Sequence, residues 1–296
     1  TDPAFRSETL SILFSSKAGS RGLEIAMDEL CQKASEAVEK GATLVILSDR
    51  GVNSDRAPIP ALLATAGVHH HLVRKGTRTR CSLIVETGEA RECHHMALLV
   101  GYGAAAINPY LAFETIDELI DEEEVQEIGR EVAINQYIKA CTKGILKVMS
   151  KMGISTLQSY RGAQIFEAVG LNKSFIDKYF TWTASRVGGI GIETVASETL
   201  RRHAIAFPER GRENYELDTG GEYQWRRDGE HHLFNPETVF KLQHATQSDQ
   251  QSIYREYAAL VNDQSRKRGT LRGLIELTRA PIALGIDEVE PVEAIF

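Results

Sequence analysis

Arg50, Asp55, Arg56 and Arg161 are the positions whose type and setting best suit polar chemistry, because each follows an apolar run that reads as a β-strand. The planar fork of arginine pairs with carboxylates and backbone carbonyls through two parallel bonds. Loops after parallel strands are where α/β folds gather their functional groups. The four residues are therefore expected to cluster at the carboxyl edge of a sheet, as bridges between loops or domains. Gly188-Gly189-Ile190-Gly191 precedes a helical pattern, with Arg186 nearby. It could cradle a phosphate on helix amides, or it could be a plain tight turn. Gly101-x-Gly103-x-x-Ala106 matches the dinucleotide fingerprint by letter, but that motif must follow a strand and open a helix. Here the order is reversed, and the glycines read as a helix stop. His69-His70-His71 cannot converge on one ion, since adjacent helical residues point about 100° apart. They read as structural or interface residues, as does His94-His95. Cys31, Cys81, Cys93 and Cys141 lie far apart with no Cys-x-x-Cys, so neither a disulfide framework nor a metal or cluster spacing is visible. No nucleophile elbow, zinc-protease helix or phosphate loop is present. No catalytic residue, cofactor-binding residue or metal ligand is assigned from residue types alone.

The bulk properties narrow the partners. With 296 residues the chain can bury a sizeable core, enough for one large or two modest domains. Its 42% hydrophobic and 25% charged residues are those of an ordinary globular protein. A net charge of -7 without a basic cluster argues against nucleic acid and against anionic membrane. No apolar run reaches the length of a membrane span, and no secretory signal opens the chain. Reduced, mostly buried thiols fit a cytoplasm-like compartment. The chain begins at Thr1 without Met and stops after Glu290-Pro291-Val292-Glu293-Ala294-Ile295-Phe296, so it is expected to be cut from a longer polypeptide.

The elements that must position these residues follow from apolar spacing. Cys81 to Phe113 holds a complete strand, helix, strand unit: Ser82 to Glu86 as a buried strand, Glu92 to Val100 as a helix with Met96, Leu99 and Val100 on one side, and Ala104 to Asn108 as a second strand. A helical crossover makes the two strands parallel. Leu10 to Phe14 and Thr43 to Leu47 read as further strands, and Gly22 to Lys40 as an amphipathic helix with Leu23, Met27, Leu30, Ala34 and Val38 on its apolar stripe. Val52 to Arg56 reads as a polar loop and Pro58 to Lys75 as a helix. Tyr110 to Ile120 is another, and Asp121 to Glu124 a solvated acidic face.

Further helices are expected over Glu131 to Met152, with Ile134, Ile138, Cys141, Ile145, Val148 and Met152 inward, over Gly162 to Val169, over Phe175 to Phe180 and over Gly189 to Phe207. Ser155 to Gln158 is expected to be a strand ending at Arg161, echoing Ser48 to Gly51. After Pro208 the pattern changes: a polar, glycine-bearing stretch from Gly211 to Gly221, a hairpin over Glu222 to Phe234 turning at Asp228-Gly229, and helices from Pro236 to Ala245, Ser252 to Asn262 and near Leu271 to Leu277.

Many ordered blocks carry a family resemblance. Leu47-Ser48-Asp49-Arg50, Asp55-Arg56-Ala57-Pro58-Ile59-Pro60, Ile84-Val85-Glu86-Thr87, Gly101-Tyr102-Gly103-Ala104, Pro109-Tyr110-Leu111-Ala112-Phe113, Met149-Ser150-Lys151-Met152-Gly153, Ser159-Tyr160-Arg161, Ile165-Phe166-Glu167-Ala168-Val169-Gly170-Leu171, Ala184-Ser185-Arg186-Val187-Gly188-Gly189 and Gly220-Gly221-Glu222-Tyr223 together resemble the central domain of glutamate synthase. The resemblance runs in order to about Leu277.

That resemblance implies a parallel-sheet α/β fold of TIM-barrel-like form, incomplete or degenerate, with a helical and hairpin C-terminal extension. It implies a central domain over 1–207, a connecting hairpin and helices over 208–280, and the start of an FMN-binding domain over 281–296. The family makes two L-glutamates from L-glutamine and 2-oxoglutarate, passing ammonia from an amidotransferase domain to an FMN site fed by a 3Fe-4S cluster. This chain is then the non-catalytic link between those domains and holds no cofactor itself. Arg50, Asp55, Arg56, Arg161 and Arg186 become interdomain contacts, with a large apolar or mixed surface expected from Pro208 to Leu277. The reductant is ferredoxin or an NAD(P)H-oxidising subunit, and the compartment cytoplasm or plastid stroma. The competing reading is an independent barrel-like enzyme that binds a phosphorylated small molecule near Arg161, Arg186 and Gly188 to Gly191.

Overall fold

Short strands alternate with covering helices through the first hundred residues, and their pairing follows from that rhythm. The computed structural model describes residues 5–122, 128–208, 220–263, 269–275 and 278–296. It divides into two compact units, Thr1–Gly211 and Arg212–Phe296. In the first, β1 (Ser7–Ser11), β3 (Leu44–Ser48), β5 (Ser82–Glu86) and β6 (Ala104–Asn108) form a parallel sheet in that spatial order. The order never reverses, which is how strands advance around a barrel; a doubly wound sheet turns back at a switch point. Among the described residues the sheet does not close, so the barrel form is incomplete. The expected strand at Leu10 to Phe14 is split: β1 ends at Ser11 and β2 (Leu13–Ser15) pairs antiparallel with β4 (Arg56–Pro58). That short ribbon replaces part of the loop expected at Val52 to Arg56.

The core lies between the sheet and helices α1 (Gly19–Glu39) and α2 (Ala61–Arg74). Leu23, Met27, Leu30, Ala34 and Val38 are all buried along α1, and burial of each large apolar side chain stabilises by about 1.5–3 kcal/mol. Gly67 permits the close approach here, since a Cβ would fall 2.4 Å from Met27 Cε. Helix α3 (Cys93–Gly101) buries Met96, Ala97 and Leu99, while Val100 is only half-buried. Gly103, at φ 115°, completes the turn into β6.

Beyond β6 the packing thins. Helix α4 (Tyr110–Asp121) buries no residue, and α5 (Arg130–Lys151) buries Cys141 and Met149 alone. The stripe expected to face inward on α5 is therefore mostly open, with Ile138 and Met152 exposed. Asp121 and Glu122 are exposed; residues 123 and 124 lie outside the described residues.

Three expectations are corrected between α5 and residue 207. The strand expected at Ser155 to Gln158 is a helical turn, α6 (Leu157–Tyr160), because Thr156 caps it by accepting from the Ser159 amide at 3.3 Å. The helix expected over Gly162 to Val169 does not form, since Gly162 (φ 72°) and Gln164 (φ 54°) leave helical geometry. The chain enters β7 (Glu167–Leu171), which pairs in parallel with β8 (Ala184–Ile190) across α7 (Lys173–Tyr179). Gly188 and Gly189 thus belong to a strand, and α8 (Ile192–Ala206) starts later than expected.

In the second unit Asn235 caps α9 (Pro236–Ser248), accepting from the Glu237 and Thr238 amides, while the Thr238 hydroxyl accepts from the Asn235 amide at 3.0 Å. Helix α10 (Gln251–Asn262) packs against it, and Leu271–Leu274 is a tight helical turn. The hairpin expected at Glu222 to Phe234 keeps its turn, with Asp228 at φ 60°, but has no strands. Gly220 and Gly221 at positive φ take the first arm out of extended geometry, leaving one backbone bond between the arms among the described residues, from the Glu230 amide to the Gly220 carbonyl. Residues 211–219, 276 and 277, on which two other expectations fall, lie outside the described residues. Tyr223, Phe234, Phe240 and Leu271 are all well exposed.

Candidate functional site

The carboxyl ends of β3, β5 and β6 meet in a polar network built from strand register. Because Ser48 pairs with Glu86 in the parallel ladder, the residues after them, Asp49 and Thr87, leave the sheet side by side. The Ser48 hydroxyl donates to Glu86 Oε2 at 2.6 Å; Arg50 Nε and Asn108 Nδ2 donate to Oε1 at 2.9 and 3.2 Å. These bonds, that of Ser48 foremost and then that of Arg50, hold the Glu86 carboxyl below its ordinary pKa. Asp49, 2% exposed, accepts from the Thr87 hydroxyl at 2.5 Å, from the Tyr110 hydroxyl at 2.7 Å and from the Gly88 amide at 3.1 Å to both oxygens. Burial, followed by the bond to Asp49, raises the Tyr110 phenol well above its usual value. Arg50 lies 4.0 Å over the Tyr110 ring.

A third carboxylate continues the network. Glu89 Oε2 accepts from the Ala61 amide at 2.6 Å, at the first residue of α2, where helix amides need an acceptor. Burial raises its pKa, against the Ala61 bond that lowers it. Both oxygens of Asp49 and of Glu86 are occupied by donors of this chain. Such carboxylates brace loops; neither is poised to take a proton from a substrate.

The predicted site residues are separated rather than gathered. Arg50 is in the network and also faces Glu114 at 3.6 Å. Asp55 pairs with Lys17 at 2.7 Å on the exposed loop beyond. Arg56 is exposed in β4, and its side chain makes no hydrogen bond or ion pair among the described residues. The backbone of this loop is fixed from α8, where His203 Nε2 lies 2.7 Å from the Asn53 carbonyl oxygen. Arg161 is not at the carboxyl edge: it lines a cavity with Cys81 and Ser82, at the amino end of β5. The reason is the exchange of strand for helix at Leu157–Tyr160, which removes the strand end that Arg161 was expected to follow. Arg186 sits in β8 and approaches Glu167 at 3.7 Å.

The histidines act singly. His69 Nδ1 accepts from Arg78 Nε at 2.9 Å and His71 Nε2 bonds Ser35 Oγ at 2.8 Å. Burial drives His69 down to about 3 and His70 to about 4. Gly191 caps α8, but a Cβ there would meet Asn172 Nδ2 at 2.7 Å and Glu193 Oε2 at 2.9 Å. The Glu193 carboxylate in the first turn of α8 opposes an anion at this helix start, so the turn is poorly suited to an FMN phosphate or a sugar phosphate. The cavity that Arg161 lines does not include Gly188 to Gly191.

Asp49, Thr87, Tyr110, Glu89 and His203 are the contributors that residue types did not single out. The usable signal was the pair of five-residue strands ending in Ser-Asp and Glu-Thr, which parallel register sets side by side.

The family model of the glutamate synthase central domain matches residues 1–172. The glutamate synthase [NADPH] large chain of Bacillus subtilis is 45% identical over 99% of this chain and 19% of its own length. Glutamate synthase [NADH] of Schizosaccharomyces pombe is 39% identical over 98% of this chain and 14% of its own, and the ferredoxin-dependent enzyme of Pyropia yezoensis 39% over 97% and 19%. The chain thus spans less than a fifth of the length of these relatives. Among solved structures, a mutant flavocytochrome b2 with benzoylformate shares 16% identity over 45% of this chain and 31% of its own, with a TM-score of 0.37. A match over more than half the chain to one family model, together with near-complete coverage by its large-chain relatives, identifies this chain as a member of the glutamate synthase central-domain family.

Proposed function

We propose that this chain is a turnover-free link within a glutamate synthase polypeptide, over which neighbouring domains close. One observation carries the reading: regular elements of the first unit present apolar side chains that no described residue of the unit covers. Every residue of β8 is exposed, with Val187 at 56%. Leu111 on α4 and Val132 and Leu146 on α5 stand about half-exposed. Surface of this kind marks an interaction face.

In this reading residues 1–207 are the central domain, 208–280 connect it onward, and 281–296 begin the FMN-binding domain. The full polypeptide converts L-glutamine and 2-oxoglutarate into two L-glutamates, with two electrons from ferredoxin or an NAD(P)H-oxidising subunit. FMN and the 3Fe-4S cluster supply the redox chemistry on other segments of the polypeptide. The compartment is cytoplasm or plastid stroma; among the described residues no helix is long and apolar enough to cross a membrane. Of the five candidate contacts, Arg56 and Arg186 present the most open guanidinium groups. Arg50 and Asp55 already have partners here, and so serve by shaping their loops.

The test is coupling in the full-length polypeptide. Val187→Glu should leave glutamine hydrolysis and flavin reduction near their wild-type rates while glutamate formed per glutamine hydrolysed falls. An unchanged ratio in a folded variant would remove β8 from the interface.

A further inference from the structure

A cavity of about 230 Å³ opens at the amino end of β5, lined by His69, Arg78, Thr79, Ser82, Gln158 and Arg161. One liquid water occupies about 30 Å³, so a polyatomic ion fits. Every polar side chain named can donate, and no carboxylate lines the space.

Its two cations differ in how they are used. Arg78 is built in: Nε donates to His69 Nδ1, Nη1 to the Cys81 carbonyl at 2.7 Å and Nη2 to the Gly103 carbonyl at 2.9 Å. Close packing holds it there, since a Cβ on Gly103 would fall 2.4 Å from His69 Nδ1. Those bonds use three of the five guanidinium protons. His69, accepting on Nδ1, carries its proton on Nε2 as a further donor.

Arg161 is held but unanswered. On one side Tyr160, fully buried, donates to the Ala97 carbonyl at 2.9 Å. On the other the Gly162 amide donates to the Gly101 carbonyl at 2.9 Å. Between these anchors the Arg161 side chain makes no described hydrogen bond, and its Nε is buried without a partner. A buried donor left unpaired costs about 1–3 kcal/mol, more when charged. Burial first, and the charge of Arg161 after it, lower the pKa of Arg78.

We propose that this cavity is an oxyanion site, in which carboxylate or phosphate oxygens bridge Arg161 to the two remaining protons of Arg78, with Ser82, Thr79 and Gln158 on the rim. Two like charges fixed around a space of donors lack one component, an acceptor with two or more oxygens, and the guanidinium fork matches that geometry. The oxygens come from a free ion or from an acidic side chain of an adjoining segment of the polypeptide.

Thermal unfolding of the 296-residue chain and of the full-length polypeptide, titrated with inorganic phosphate against chloride at constant ionic strength, tests the site. Phosphate should raise the Tm of the wild-type chain along a saturating ligand curve, and Arg161→Met should abolish that rise. In chloride alone Arg161→Met should be at least as stable as wild type, because an unpaired cation beside another has gone. Arg161→Lys keeps the charge without the fork, and should move the phosphate midpoint upward by about tenfold. A response in both proteins identifies a free ion as occupant; a response in the chain alone identifies an acidic side chain of the full-length protein. The proposal is overturned if wild type and both variants follow the same phosphate dependence, or if Arg161→Met lowers the Tm equally in phosphate and chloride.

Discussion

The two flanks of the first unit use similar sequences to different ends. Around β1, β3 and β5 the apolar stripes of α1 and α2 are buried, and side-chain carboxylates at the strand ends are matched donor by donor. Past β6, α4 and α5 have equally periodic apolar stripes, yet α4 buries nothing and α5 two residues. Helical periodicity records that a face is meant to be covered; it does not record whether the cover lies in the same unit. The first flank is finished by its own chain, and in the proposed function the second is covered by other parts of a longer polypeptide.

The sharpest way to break that contrast is to truncate side chains on each flank. Leu23→Ala or Leu47→Ala, both fully buried, should cost the chain about 2–5 kcal/mol in denaturant unfolding. Leu119→Ala and Leu146→Ala, on the open flank, should stay within about 0.5 kcal/mol. Equal losses would mean α4 and α5 are as well packed as α1. Asp49→Asn comes next. It keeps the shape but turns an amide NH2 toward the Gly88 amide or the Thr87 hydroxyl, at a cost of about 1–3 kcal/mol. A neutral result would show that the brace is dispensable.

Acid should act on the finished flank. His69 and His70 titrate at about 3 and about 4 when folded, against about 6.5 unfolded. Their depressed values mean that stability is complete above pH 6.5 and is lost as pH falls toward those values. The slope approaches about 1.4 kcal/mol per pH unit for each proton taken up. Glu86 adds the same sign lower down, from about 4.3 toward its depressed folded value. Glu89, with a raised pKa, acts oppositely, favouring the fold as pH falls. His69→Gln should flatten the loss below pH 6.5; an unaltered profile would contradict a neutral, buried imidazole. The smallest effect is expected at the Lys17–Asp55 pair, both fully solvated: Asp55→Ala should leave unfolding unchanged.

The finished flank was also the legible one. α1, β3, β5 and β6 stand within a few residues of where apolar spacing puts them, because each is a local pattern answered by local packing. Sequence reasoning failed at Ser155 to Leu171, where three positive-φ residues, Gly162, Gln164 and Gly170, and a pairing with β8, thirteen or more residues on, outweigh apolar spacing. Ile165, Ala168, Val169 and Leu171 fit a helix as readily as a strand, and only the partner strand decides. Arg50 and Asp55 were placed on the right loops because a strand end is a local signal. Arg161 went to the opposite edge because its strand was a helix. Asp49 escaped notice for a different reason: its importance lies in three donors, the Thr87 and Tyr110 hydroxyls and the Gly88 amide, from residues up to 61 positions away.

The central claim is that the open flank is an interface, and hydrogen exchange compares it directly. Amides of β8 and α4 should exchange at least about tenfold more slowly in the full-length polypeptide than in the 296-residue chain, while those of β3 and β5 stay alike. Identical rates for β8 and α4 in the two proteins would contradict the account.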